Sequence, residues 1–162
     1  MNRGRVKRLL GVLAVAFLPG VARGQNVDSY VELLRADVRA EKVAILGQAM
    51  DLSEEEASAF WPIQREYEAE LAKLYDERIA LIKAYTESYE SMSDEKAEEL
   101  GEWLLNLEKQ RTSLKEKYFE RFSRDISPIV AARFLQIDNQ INMLIDLQIA
   151  ATLPLIARPE SQ

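Results

Sequence analysis

From Gln25 onward, apolar residues recur at three- and four-residue steps, the period of an α-helix with one buried face. No stretch alternates apolar and polar between turn residues in the manner of a strand. The pattern predicts four helices. The first runs roughly from Ser29 to Met50, with Val27, Val31, Leu34, Val38, Ile45 and Ala49 as its stripe. Asp28 or Ser29 caps its start and Asp51-Leu52 ends it. The second opens on Ser53, with Glu56 completing a capping box and Glu54 and Glu55 at the positive end of the dipole. It runs to about Tyr89. Its stripe is Ala57, Phe60, Tyr67, Leu71, Leu74, Arg78, Leu81 and Tyr85, widened by Trp61, Tyr75, Ile79 and Ile82. One antiparallel neighbour cannot cover a face that broad, so a third helix or a second subunit is required. Pro62 inside this pattern predicts a kink.

Ser93 caps the third helix, whose stripe is Ala97, Leu100, Leu104, Leu107, Arg111, Leu114, Tyr118 and Phe122. The fourth starts at Ser127-Pro128, a cap followed by proline at the first helical position. Its inner face is Val130, Phe134, Ile137, Ile141, Leu144, Ile145 and Gln148, and Pro154 ends it. The second and third helices, at roughly 35 residues each, reach about 50 Å. The predicted fold class is therefore all-α: four helices built on a long antiparallel hairpin, elongated rather than compact.

The first 24 residues read differently. Arg3, Arg5, Lys7 and Arg8 form a basic start, Leu9 to Leu18 an apolar run too short to span a bilayer, and Pro19-Gly20 a break. Ala22 and Gly24 put small residues at the −3 and −1 positions. Residues 1–24 are thus expected to be a Sec-type signal peptide cleaved before Gln25, with an uncleaved anchor as the alternative. The mature protein is then periplasmic, without stable membrane insertion. Residues 25–153 form the helical domain and 154–162 a C-terminal tail whose last residues, Arg158 to Gln162, fray.

Removing the leader changes the charge. The whole chain carries −6, but residues 25–162 hold 16 basic and 27 acidic side chains, a net of −11. No basic patch stands out, so no nucleic-acid partner is expected, and an anionic membrane surface is disfavoured. There is no His and no Cys. That excludes Ser-His-Asp and Cys-His catalysis, HExxH zinc sites, thiolate metal sites and disulfides. Only Gly47 and Gly101 follow residue 24, both within helical patterns, so a glycine-rich phosphate loop has nothing to be built from. Carboxylates abound, but nothing points to a pocket that would perturb one. No catalytic residue, no cofactor and no metal site is expected, and an enzyme is disfavoured.

One internal echo links two helix starts. Leu52-Ser53-Glu54-Glu55-Glu56-Ala57-Ser58-Ala59-Phe60 and Ile126-Ser127-Pro128-Ile129-Val130-Ala131-Ala132-Arg133-Phe134 share aliphatic, Ser, three variable residues, Ala, two variable residues, Phe. In each, an aliphatic residue staples the start, Ser caps it, and Ala and Phe begin the buried stripe. With these two copies, the leader and the helical content, the chain resembles the Spy/CpxP-like periplasmic proteins with LTxxQ-type motifs. Leu52, Ser53, Glu56, Ala57, Phe60, Trp61 and Pro62, and then Ile126, Ser127, Pro128, Ala131 and Phe134, are the motif positions. Ser stands for Thr, Glu56 for the closing Gln, and the second copy keeps only the aliphatic residue and the hydroxyl.

The resemblance implies a long helical hairpin that pairs into a curved, cradle-like homodimer. It implies either an ATP-independent chaperone or stress adaptor for unfolded or partly folded envelope proteins, or a regulatory module binding one fixed partner such as a sensor-kinase periplasmic domain. A metal-responsive role is the weakest branch, since such relatives lean on His.

Three cations in or beside the stripes, Arg78, Arg111 and Arg133, are candidate partner-binding residues. The alternative for them is snorkelling, or pairing with an acid such as Glu108. Trp61 and Trp103 are either exposed anchors or core residues. Met50, Met92 and Met143 would lend adaptability to a client surface.

Overall fold

The computed structural model describes residues 41–151 and 153–156. The leader, most of the first predicted helix and the end of the tail lie outside these residues. Among the described residues every regular element is a helix, so the chain is all-α. Residues 41–49 are α1, Glu54–Ser88 is α2, Asp94–Asp125 is α3 and Pro128–Ala150 is α4. A 3-10 turn, Tyr89–Ser91, follows α2.

Local chemistry sets each boundary. Ser53 Oγ accepts from the Glu56 amide at 3.2 Å, and the Glu56 carboxylate accepts from the Ser53 amide at 2.9 Å. Both halves of the predicted capping box are therefore present. Ser93 caps α3 and Ser127 caps α4 by the same bond, each at 3.2 Å, with Pro128 leading α4. At the end of α1, Asp51 adopts φ 51°, the left-handed conformation that asparagine and aspartate tolerate best after glycine. Pro62 lies within a continuous α2, where its missing N–H removes one intrahelical bond.

Charged pairs show how the helices run. Arg121 reaches Glu66 at 3.0 Å and Lys117 reaches Glu70 at 2.7 Å, while Phe122 stacks on Phe60. Positions fall along α3 as they rise along α2, so α3 returns along α2. On α4, Phe134 meets Phe122 and Asp146 meets Arg111, so α4 returns along α3. The Tyr67–Asp138 and Tyr75–Asn142 bonds then join α2 to α4 in the same direction. α1 runs against both: Lys42 faces Glu68 and Asp138, while Ala49 faces Arg133.

The main core lies where all four helices meet. Phe60, Phe122 and Phe134 form a triangle with ring centroids 4.6 to 5.7 Å apart, and Tyr67 stands edge-on to Phe134 and Tyr118. Such pairs add to the area each ring removes from water. Leu46 and Met50 of α1 close this cluster. A second, smaller cluster of Leu81, Leu100 and Leu107 lies further along α2 and α3, and a third of Ile141, Ile145 and Ile149 lies on α4.

Three stripe positions differ from the expectation. Ile45 is 44 % exposed because α1 buries Lys42, Leu46 and Met50 instead, a face turned by one residue. Ionic partners hold Lys42 inward, and the four-residue row it begins carries Leu46 and Met50 in with it. On α4 the face is centred on Ile145, Asp138 and Asn142, which rotates Leu144 outward to 64 % exposure. Leu104 is 46 % exposed on the rim of the groove described below.

Phe134→Ala should lower unfolding free energy by about 3–5 kcal/mol. Gly101, where an added Cβ meets nothing within 4 Å, should give up to about 1 kcal/mol of stabilisation on mutation to alanine. Urea denaturation followed by circular dichroism measures both. A Phe134→Ala midpoint like that of the parent would refute the aromatic core.

Candidate functional site

Asp138, Asn142 and Asp146 stand four residues apart, so α4 presents them as one row. Asp138 and Asn142 are fully buried. Asp138 Oδ2 accepts from Tyr67 Oη at 2.9 Å and from Asn142 Nδ2 at 2.7 Å. Asn142 Oδ1 accepts from Tyr75 Oη at 2.7 Å. Lys42 Nζ, also buried, lies 2.7 Å from Asp138 Oδ1 and 2.6 Å from Glu68 Oε1. These are charge contacts without hydrogen-bond alignment, so attraction between charges in a dry interior carries them. The ammonium also lies 5.3 Å from the centroid of the Tyr67 ring.

Titration follows from this packing. Burial works to lower the Lys42 pKa, but the Asp138 and Glu68 carboxylates more than offset it, and Lys42 titrates above its usual range. Burial first, and the Asp138 carboxylate second, push the Tyr67 hydroxyl far above the ordinary tyrosine value. Tyr75 is also raised, chiefly by burial.

One turn on, Asp146 accepts from both Arg78 and Arg111, the latter at 3.1 Å. Burial works to raise its pKa, yet the two guanidiniums hold it below the usual carboxylate range. Glu108 lies 3.9 Å from Arg111, beyond hydrogen-bonding distance. At that distance Glu108 still pairs with Arg111 as a charge, so the two guanidiniums stand against two carboxylates, with Asp146 the nearer.

Beyond this row the helices enclose an apolar groove of about 370 Å³. Leu81, Ile82 and Tyr85 of α2, Leu100 of α3, Ile149 of α4 and Leu153 after it form its walls, with Arg78 at the edge. Tyr85 Oη donates to the Pro154 carbonyl at 2.5 Å, tying the segment after α4 to α2. Leu155, 90 % exposed, and Ile156 complete the rim. A concave apolar space of this size with one polar edge has the character of a binding site.

The structure gathers ten of the twelve motif residues into caps and core. Phe60, Ala131 and Phe134 are buried together, and Leu52, Trp61 and Ile126 pack on them. Ser53, Glu56, Ser127 and Pro128 form the helix starts, Ala57 is half-buried and Pro62 is exposed. The two motif copies meet through their phenylalanines. Arg78 and Arg111 converge on Asp146, and Arg133 Nε donates to the Ala49 carbonyl at 2.9 Å, satisfying an end of α1. Trp103 and Met92 pack on the Leu81–Leu100–Leu107 cluster, Met50 is core, and Met143 is exposed.

Lys42, Tyr67, Asp138 and Asn142 were not among the expected site residues. Their signal is the interruption of the apolar face of α4 by Asp138 and Asn142 at a four-residue step. Among the described residues, no group of three or more acidic, His or Cys side chains is placed to hold a metal ion. No helix there is long and apolar enough to cross a membrane. Comparison with protein-family models, curated proteins and solved structures finds no match.

Stability should fall at both ends of the pH scale. Asp146, lowered in the fold, contributes fully above about pH 3.8 and loses that contribution as pH falls through its folded value. Lys42, raised in the fold, contributes fully below about pH 10.5 and loses it as pH climbs through its folded value. Asp146→Asn should flatten the acid decline while leaving the alkaline one. Thermal melts from pH 2 to 11 test this, and an unchanged acid limb in Asp146→Asn would contradict it.

Proposed function

We propose that this chain is an exported, non-enzymatic helical protein that binds apolar segments of unfolded or partly folded proteins without nucleotide. The observation that carries the reading is the groove of about 370 Å³ walled by aliphatic side chains and rimmed by exposed Leu104, Leu155 and Ile156. Exposed leucines around a concave apolar space mark a surface meant for contact. Met143, Leu144 and Leu147 extend exposed apolar surface along the outside of α4. The surrounding acidic surface, net −11 beyond the leader, keeps the free protein soluble and favours clients that are apolar or basic.

The leader of residues 1–24 supports export to the periplasm, where nucleotide-free binding is the workable chemistry. The two Ser-capped motif copies support membership of the Spy/CpxP-like class, together with its cradle-like homodimer. That dimer would set two grooves on one assembly. Arg78 would act at the groove edge, Arg111 beside it through the shared Asp146, and Arg133 through α1.

The protein lacking residues 1–24 should suppress aggregation of a reduced or heat-stressed test protein at low micromolar concentration without ATP. Light scattering reads the effect. Leu104→Asp paired with Leu155→Asp should weaken suppression several-fold while leaving the helical signal intact. No suppression at several-fold molar excess would refute client binding, and capture of one defined protein by periplasmic crosslinking would favour a dedicated partner instead.

A further inference from the structure

The outer face of α4 is not built for water. Its inner face is centred on Ala131, Asp138 and Ile145, a seven-residue row that is buried throughout. On the opposite side runs a second row: Ile129, Arg133, Gln136, Gln140, Met143 and Leu147, exposed at every position. Its steps are four, three, four, three and four residues. That alternation is the repeat of a helix seam that packs against another helix. Ile129, Met143 and Leu147 are 80 %, 69 % and 66 % exposed, so nothing within the chain covers the seam.

The solvated helix faces of this protein have a different composition. The exposed side chains of α2 and α3 are mostly charged, with glutamate the commonest. Among the fully exposed described side chains of α4, the one charge is Arg133. The acids of α4 lie elsewhere: Asp138 is buried and Asp146 turns toward Arg78 and Arg111. Charge depletion beside exposed aliphatic and thioether groups is the composition of an interface core.

The order of residues along the seam says what covers it. Positions equally distant from the level of Asp138 are matched: Ile129 with Leu147, Arg133 with Met143, Gln136 with Gln140. Turned end for end and laid on a second copy, the seam meets aliphatic with aliphatic at both ends and glutamine with glutamine in the middle. The Arg133 stem then lies along Met143 while its guanidinium keeps the Ala49 carbonyl. A parallel pairing would instead set Arg133 against Arg133. Charge favours the same partner. Two copies, each with −11 beyond the leader, repel through α2 and α3 and approach most easily through the face without acids. The seam offers on the order of 1,000 Å² between two copies, the lower end for a specific interface, which makes a weak dimer.

We propose that α4 is the interface of a two-fold homodimer in which the outer seams of two copies pair antiparallel, Ile129 of each against Leu147 of the other. For the homodimer of the proposed function this supplies the face and the register. The pairing itself rests on the α4 surface and stands apart from client binding. It withdraws Met143 and Leu147 from the client surface and leaves the groove walls on α2 and α3 outside the seam.

The chain has no cysteine, so single thiols report the pairing. Whole chains carrying Ile129→Cys or Leu147→Cys are reduced, then oxidised alone or mixed. In the antiparallel dimer each thiol lies about 27 Å from its own kind and opposite the other kind, and a disulfide needs Cα atoms within about 7 Å. The mixture should give several-fold more disulfide-linked dimer than either chain alone. Met143→Glu with Leu147→Glu should raise the dissociation constant, read by sedimentation, about tenfold or more. The helical signal should stay unchanged, because both side chains face outward.

Single thiols that cross-link as readily as the mixture, or a dimer that survives the paired glutamates, would put the second copy on another face and overturn the proposal. A parent that stays monomeric at submillimolar concentration would overturn it as well. If the Leu147→Cys thiol of a monomeric chain traps a different protein, that protein is the occupant and the proposal fails. Aggregation suppression, measured separately on the parent, decides client binding on its own.

Discussion

A single buried cation organises the meeting of the helices. Lys42 is held between Asp138 of α4 and Glu68 of α2 in an interior where an unpaired ammonium would be costly. The pairing turns α1 by one residue from the face its apolar pattern suggests, bringing Leu46 and Met50 into the aromatic core and leaving Ile45 outside. It also orients Asp138, whose other oxygen accepts from Tyr67 and Asn142. A buried ion pair contributes little net stability, because desolvation offsets the attraction between its charges. Removing one partner leaves the other charged and buried.

The row Asp138, Asn142, Asp146 then divides the molecule. On one side lies a dense aromatic core in which the caps at Ser53 and Ser127 start two helices whose phenylalanines touch. On the other, the packing thins. The distal cluster of Leu81, Leu100 and Leu107 is smaller, Leu104 stands on its rim, and the groove opens above it. Chemistry follows packing here: the tight end holds α2, α3 and α4 in register, and the loose end offers apolar surface to whatever fits it. Arg78 and Arg111 sit at the boundary, drawn inward by Asp146.

Much of this was legible in the residues. Capping serines, the proline leading α4 and three- and four-residue spacing mark the starts of α2, α3 and α4, which the structure reproduces, because these signals are local. The all-α class followed from the same spacing. The facing of α1 was not legible, since a lysine in an apolar row reads as solvated until its partners, at positions 68 and 138, are known. Leu144 reads as inward for a related reason: Asp138 and Asn142 look polar and outward, yet they centre the buried face. Arg78 and Arg111 stand out as cations within their stripes, but Asp146 as their shared anion depends on how α4 lies against both helices. The groove is a tertiary object with no local signature beyond leucines at ordinary helical spacing.

The measurement that tests the organising role of Lys42 most directly is a double-mutant cycle between Lys42→Met and Asp138→Leu, read by urea unfolding. Each single change should cost about 3–5 kcal/mol because it strands a buried charge. The double change should cost much less than the two together, with a coupling of about 2 kcal/mol or more. Additive costs, or single changes that leave stability within about 0.5 kcal/mol of the parent, would contradict a structure organised around this pair.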